Sequence, residues 1–323
     1  MICLRKDRND PWFNLAAEEF AVKHLNEEVL MIWESECCIV TGKHQLAYAE
    51  INPELVFGQN IPVLRRISGG GTVVHAPGNL NFTLITDNGK SNNKIDFRAA
   101  TQPIIDFLKW FGLKVELTGI SNLSVNGLKI SGNAAHVFKN RSLHHGTLLF
   151  NADLSSIHSL IKRPDQPYKS KAIQSNPAPI ANIAALSGTS IEFDEFKYLL
   201  EEYLIKELSI SDIRSFAKAE SEVISQLAAE KYYTDAWNFF YSPDYSFKKT
   251  FLFKGIEIVA SFEVHRGIIK DFNVVGDERL SELNNLLLGV LHTRQSLTEK
   301  VFSSNISDVF SAHEINQLLL QLF

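Results

Sequence analysis

A chain of 323 residues with 45% hydrophobic and 21% charged side chains has the balance of an ordinary globular protein, with room for one large core and a smaller second one. Its formal net charge of −5 gives no bulk electrostatic reason to expect nucleic acid or an anionic membrane as partner. No apolar run is long enough to span a bilayer, and the opening MICLRKDRND lacks a hydrophobic signal core. The three cysteines, Cys3, Cys37 and Cys38, fit no zinc or disulfide spacing and read as reduced thiols of a cytoplasmic protein.

From Pro11 to Leu25 the apolar spacing predicts a helix, followed by buried strands at Val29–Trp33 and Cys38–Thr41. Pro62–Arg66 and Thr72–His75 read as strands on either side of Ser68-Gly69-Gly70-Gly71, and Asn79–Thr86 alternates as a further strand. Phe97–Phe111 predicts an amphipathic helix, residues 114–150 several β pieces, and Leu154–Ile161 a short helix. Residues 162–182, rich in Pro, Lys, Ser and Asn, read as a long loop of the kind that closes over a site. Helices are predicted at Phe193–Leu208 and Glu220–Tyr232. Beyond Ser242 the composition changes to a hairpin, Phe247–Phe253 and Ile256–Val264, turned near Lys254-Gly255. A third strand at Ile268–Val275 and helices at Leu280–Leu291 and Asp308–Leu320 complete the chain. The expected division is 1–242 and 243–323, the second part a small α+β unit.

Four stretches carry candidate chemistry. In Arg65-Arg66-Ile67-Ser68-Gly69-Gly70-Gly71-Thr72-Val73-Val74-His75 the triglycine taken alone reads as a glycine-rich hairpin. With two arginines and a histidine beside it, it reads as an anion site built from main-chain N–H groups and guanidinium donors. The spacing is neither a Walker loop nor a dinucleotide fingerprint. Lys129 lies among small and apolar residues, where an amine can neutralise charge on phosphate and carboxylate oxygens; the plainer reading is a strand lysine reaching solvent. His144 and His145 are adjacent in a strand and point to opposite faces, so they do not share a metal, and no metal ligand is assigned. Around Lys171 and Ser175 a basic loop either closes over an anionic intermediate or is simply solvated. Cys37 and Cys38 sit in an apolar strand without an adjacent base and read as core residues.

In order, these motifs resemble the lipoate–protein ligase family, the bacterial type with a C-terminal accessory domain. The match runs from Asp10-Pro11-Trp12-Phe13-Asn14-Leu15-Ala16 through Ile32-Trp33 and Gly42-Lys43-His44-Gln45. It is strongest at Arg65-Arg66-x-Ser68-Gly69-Gly70-Gly71-x-Val73-x-His75 with Gly78-Asn79. It resumes at Lys129-Ile130-Ser131-Gly132, His144-His145-Gly146-Thr147-Leu148-Leu149 and Asp153-Leu154, then at Lys171, Ser175 and Asn182, and at Asp235-Ala236-Trp237-Asn238. Two stretches depart from the pattern: Gly119-Ile120-Ser121-Asn122 stands where the family carries Gly-Arg-Asn-Asp, and Gln45-Leu46 where it carries Gln-Asn.

The resemblance implies an α/β catalytic domain with a mixed sheet, like biotin–protein ligases and class II synthetases, and a small α+β C-terminal domain. It implies ATP-dependent activation of lipoic acid to lipoyl-adenylate, with Mg2+ as phosphate partner and no tightly bound prosthetic group. The acyl group would then pass to a lysine on lipoyl domains of 2-oxoacid dehydrogenase complexes or on the glycine-cleavage H protein. Under the resemblance Lys129 serves both steps. Arg66, Gly71, Thr72, Val73 and Val74 hold ATP, while Ser68, Gly69, Gly70, His75 and His145 line the acyl and adenylate pocket. Lys171 and Ser175 fall in the closing loop. Two alternatives remain at this level: an ATP-independent lipoyl or octanoyl transferase, and a non-catalytic binder of lipoyl domains.

Overall fold

Asp10-Pro11 opens the first helix, Pro11–His24. The Asp10 carboxylate accepts the Phe13 N–H at 3.0 Å, and proline occupies the first turn, where a missing N–H costs nothing. The computed structural model describes residues 1–87, 96–161 and 166–323. They fall into two units, Met1–Lys43, Pro62–His158 and Ser175–Tyr233 in the first, and His44–Ile61, Ser159–Gln174 and Thr234–Phe323 in the second. The second unit thus takes in three stretches of the span 1–242: His44–Ile61, Ser159–Gln174 and residues 234–242.

The strands in chain order are β1 (Ile2–Arg5), β2 (Val29–Trp33), β3 (Cys38–Thr41), β4 (Val63–Arg65), β5 (Val73–His75), β6 (Asn79–Asp87), β7 (Glu116–Thr118), β8 (Asn122–Val125), β9 (Leu128–Phe138), β10 (Arg141–Leu149), β11 (Tyr168–Ser170), β12 (Asp212–Ser215), β13 (Tyr245–Phe253), β14 (Ile256–His265) and β15 (Ile268–Val275). Among the described residues the first unit holds an eight-stranded mixed sheet, ordered β12-β1-β2-β6-β10-β9-β8-β7, and a three-stranded sheet, β4-β3-β5. The β12-β1-β2 edge is parallel; from β2 through β6, β10 and β9 the pairing is antiparallel.

Period-two alternation decides which side chains reach the site. Leu80, Phe82 and Leu84 of β6 enter the core with Ile104, Phe107 and Leu108 of helix Phe97–Trp110 and with Phe196, Leu200 and Leu204 of helix Phe193–Glu207. Asn79, Asn81 and Thr83 alternate with them along the strand and are buried as well. The adjacent histidines of β10 divide in the same way. His144 packs its ring against Phe82 and Phe97, with centroids 6.2 and 5.4 Å away. His145 lines the cavity described below.

Burial, with His145 adding, holds the His144 imidazole down at about 3, and burial holds His75 at about 3 as well. The unfolded chain takes up protons on these rings below their ordinary 6.5, while the folded chain refuses them until about 3. Their contribution to stability is therefore fully present above that ordinary value and drains away as pH falls through the window. Urea midpoints should be lower at about pH 5 than at about pH 7, and His144→Phe should shrink the difference. An undiminished difference in the variant contradicts this reading.

Several elements differ from the sequence-based expectation. β4 and β5 do not pair with each other across the triglycine. β3 lies between them, parallel to β4 and antiparallel to β5, so the glycines form a crossing loop rather than a hairpin. Helix Lys218–Leu227 continues into a π-turn, Ala228–Tyr232. The predicted helix Asp308–Leu320 is two helices, Ile306–Val309 and Ala312–Leu320; the Ser311 side chain and Glu314 form a capping box that restarts the chain. Of the predicted loop 162–182, residues 162–165 lie outside the described residues, and Tyr168–Ser170 is strand β11, antiparallel to β13.

In the second unit β11-β13-β14-β15 form an antiparallel sheet. Its β13–β14 turn puts Lys254 at φ 51° and Gly255 at φ 79°, both left-handed. The fully buried His292 ties three segments of this unit together. Its ring meets Leu322 O at 2.9 Å through Nε2 and the Tyr245 hydroxyl at 2.5 Å through Nδ1, and its carbonyl accepts the Tyr48 hydroxyl at 2.9 Å.

Candidate active site

A cavity of about 420 Å3, the size of a small-molecule site, opens in the first unit. Helix Pro11–His24, the glycine loop, β9 and β10 supply its walls.

The glycine loop is held by Arg66. Its Nε donates to Ser68 Oγ at 2.9 Å and its Nη1 to Val40 O at 3.1 Å. Its Nη2 donates to Gly69 O and Gly71 O at 2.6 and 2.7 Å. Gly70 adopts φ +86°, a backbone conformation that favours glycine, and a Cβ there would press on Arg66 Nη2 at 3.0 Å. Burial pulls the Arg66 guanidinium down to about 10, and nearby Glu18 opposes the shift. The sequence pairs Arg65 with Arg66 as an anion donor, and the structure corrects this. Arg65 is fully buried, is not among the cavity-lining residues, and donates to Gly42 O and Lys43 O at 3.0 and 3.1 Å.

Lys129 lines the opposite wall, on β9. Its backbone is fixed by hydrogen bonds to Pro179 O and from Ala181 N–H, at 2.8 and 3.0 Å. Its amine makes no hydrogen bond or ion pair among the described residues. A Cβ on Gly132 would come within 3.0 Å of the Lys129 Nζ, which locates the amine against that bare stretch of β9. Burial first, then Arg66, lowers the Lys129 amine below its ordinary value.

His145 Nδ1 lies 3.0 Å from both Glu18 oxygens, and its Nε2 lies 2.6 Å from Ser68 Oγ. Thr83 Oγ1 donates to Glu18 at 2.5 Å and accepts Trp33 Nε1–H at 3.0 Å. Burial alone would raise the Glu18 carboxyl. The charge and hydrogen bond of His145, with Lys6 and Thr83, outweigh it and leave Glu18 below its ordinary value. The Trp33 ring has His75 edge-on at 5.5 Å and the Lys6 Nζ 3.9 Å from its centroid.

Of the residues singled out in the sequence, Arg66, Gly70, Gly71, Thr72, Val73 and His75 line the cavity, together with Lys129, His145 and Ser175. Thr72 N–H donates to Ser175 Oγ at 2.9 Å. Ser68 and Gly69 lie behind the lining, bonded to His145 and Arg66. Val74 is buried in β5 opposite Ile39. Lys171 is exposed, belongs to the second unit and does not line the cavity. Glu18 and Asn81 line it and were not singled out, and Trp33, named only within the family resemblance, lines it too. Gly119, Ile120, Ser121 and Asn122, the stretch that departs from the family pattern, line it too.

Fold and cavity define the class as an α/β enzyme whose site is lined by main-chain glycine and a lone amine, groups that receive anionic oxygens, beside a buried guanidinium that holds the glycine loop. The model of the lipoyl protein ligase A/B catalytic domain matches residues 10–205, and that of the bacterial lipoate protein ligase C-terminus matches residues 242–322. Lipoate–protein ligase 1 of Staphylococcus aureus is 35% identical, the match covering 96% of this chain and 97% of that one. A lipoate–protein ligase of Bacillus subtilis is 34% identical over 94% and 93%. Among solved structures, a P. falciparum protein in complex with lipoate superposes with a TM-score of 0.62 at 22% identity, covering 99% of this chain and 98% of that one. The chain belongs to the lipoate–protein ligase family.

Proposed function

We propose that this chain activates lipoate with ATP to lipoyl-adenylate and transfers the lipoyl group to a lysine of a lipoyl-domain acceptor. The observation that carries the reading is the unpartnered Lys129 amine in a cavity walled by the glycine loop. In the first half-reaction a lipoate carboxylate oxygen attacks the α-phosphorus and pyrophosphate leaves. In the second, the acceptor lysine amine attacks the acyl carbon, AMP leaves and the amine gives up a proton. Negative charge develops on oxygen in both, and Lys129 is proposed to neutralise it.

Gly71, Thr72 and Val73 are proposed to hold the nucleotide, with Val74 anchoring their strand. Gly70, His75 and His145 are proposed to face the acyl group. Arg66, Ser68 and Gly69 act by holding the loop. Ser175, bonded to Thr72 N–H, is proposed to move with ligand binding, and Lys171 with it. Magnesium is proposed as a partner of the ATP phosphates, with ligands from nucleotide and water. A cage from this chain does not fit. Among the described residues no group of three or more His, Cys, Asp or Glu side chains could hold an ion, and the one cavity carboxylate, Glu18, is committed to His145 and Thr83. No step above is routed through the metal. Lipoyl domains of 2-oxoacid dehydrogenase complexes and the H protein are the proposed acceptors, in the cytoplasm. Residues 1–242 are proposed as the catalytic part and 243–323 as the accessory part. Among the described residues no helix is long and apolar enough to cross a membrane.

A cysteine-based transferase is disfavoured. No cysteine is among the cavity-lining residues, and burial pushes the Cys38 thiol up to about 12 and raises Cys37. Cys37→Ser and Cys38→Ser should each keep transfer within about twofold, whereas a thiol nucleophile would lose it. The direct test is the intact mass of a lipoyl domain after incubation with enzyme, lipoate and MgATP. One lipoyl group should be added, and none without ATP. ATP-independent addition would move the reading to the transferase.

A further inference from the structure

Glu18 is the end point of two hydrogen-bond branches, and an ionised carboxylate accepts from both. On one side the indole N–H of Trp33, a pure donor, gives to Thr83 Oγ1, so the threonine proton goes on to Glu18. On the other side Arg66 Nε–H gives to Ser68 Oγ, and the same oxygen lies 2.6 Å from His145 Nε2. An ionised Glu18 only accepts, so His145 Nδ1 carries a proton that points at it, 3.0 Å from each oxygen. The same guanidinium that meets Ser68 also grips Gly69 O and Gly71 O. A continuous buried chain therefore runs from Glu18 through His145, Ser68 and Arg66 to the glycine loop.

We infer that Glu18, seconded by Thr83, is a positioning residue: it holds a proton on His145 Nδ1, fixes the orientation of that ring and through Ser68 and Arg66 sets the geometry of the glycine loop. Without the carboxylate, the His145 Nδ1–H and the Thr83 hydroxyl lose a buried acceptor, and the imidazole is no longer held with Nε2 at Ser68. The loop then loses one of the four contacts that orient Arg66. The inference rests on the ligase reading, since loop geometry is scored by adenylation.

The test is steady-state lipoate-dependent ATP–pyrophosphate exchange for wild type, Glu18→Ala, Ser68→Ala and the double variant, with Glu18→Gln as conservative control. Glu18→Ala should lower kcat about 10²-fold, the scale of a loop displaced by about 1 Å, with KM for lipoate nearly unchanged. Ser68→Ala should do the same, and the double variant should be no worse than either single one. Glu18→Gln keeps an oxygen to accept the Nδ1–H and should recover most of the loss. Losses that multiply in the double variant, or a loss confined to KM for lipoate, overturn the inference; the latter would make Glu18 a direct acyl contact. Should Glu18→Ala not fold, the near-isosteric Thr83→Val replaces it in the same cycle, with the same expected coupling and the same contradicting outcome. Absence of exchange in the wild type would instead strike the ligase reading itself.

Discussion

Lys129→Ala should retain the fold and lose lipoate-dependent adenylation by about 10²–10³-fold, the usual cost of removing a charge-stabilising donor from a closed site. Nothing in the structure ties the amine to stability, because it makes no hydrogen bond or ion pair among the described residues. Holding an amine half-buried without a partner costs free energy, and that cost is recovered when an anionic oxygen arrives. The pH dependence follows from the same physics. Burial and Arg66 lower the amine's titration below the ordinary lysine value of 10.5. The cation is present below the shifted value and lost above it, so exchange should decline on the alkaline side before an exposed lysine would titrate. A Lys129→Ala enzyme with near-wild-type exchange would remove Lys129 from the reaction.

Arg66→Lys should cost both stability and activity despite keeping the charge. The guanidinium serves Ser68 Oγ, Val40 O, Gly69 O and Gly71 O at once, in four different directions. An ammonium on a flexible stem cannot reproduce that fork. Buried acceptors left without donors cost about 1–3 kcal/mol each, so a loss of about 3 kcal/mol in unfolding free energy is expected. The loosened loop should lower exchange about 10²-fold. Urea denaturation and exchange measured on one preparation check both. An unchanged midpoint would mean that the loop holds its shape without the fork.

The strands that carry the chemistry were legible because their period is two. The opposed facing of His144 and His145 came from adjacency alone, and β15 and the Lys254-Gly255 turn came from alternation and turn chemistry. The same rule could have separated Arg65 from Arg66, since adjacent residues at a strand end point to opposite sides; counting both as anion donors ignored it. What was not legible depends on partners distant in sequence. Glu18 stands beside a second buried acid, Glu19, among Ala16, Ala17 and Phe20, and nothing local separates the two, while its partners Thr83 and His145 lie 65 and 127 residues away. The placement of β3 between β4 and β5, and the grouping of His44–Ile61 with the C-terminal residues, are likewise tertiary choices with no local pattern. Asn79, Asn81 and Thr83 did leave a signal, as polar residues alternating with Leu80, Phe82 and Leu84 in a strand with no exposed face.

The cavity between the glycine loop and Lys129 is assigned the making of an acyl-adenylate, and ATP–pyrophosphate exchange with and without lipoate, with octanoate and biotin in parallel, reads that assignment. Exchange should depend on lipoate and fall about 10²–10³-fold in Lys129→Ala. Folded wild-type enzyme that gives no exchange with any of these acids, in the presence of magnesium, would contradict it.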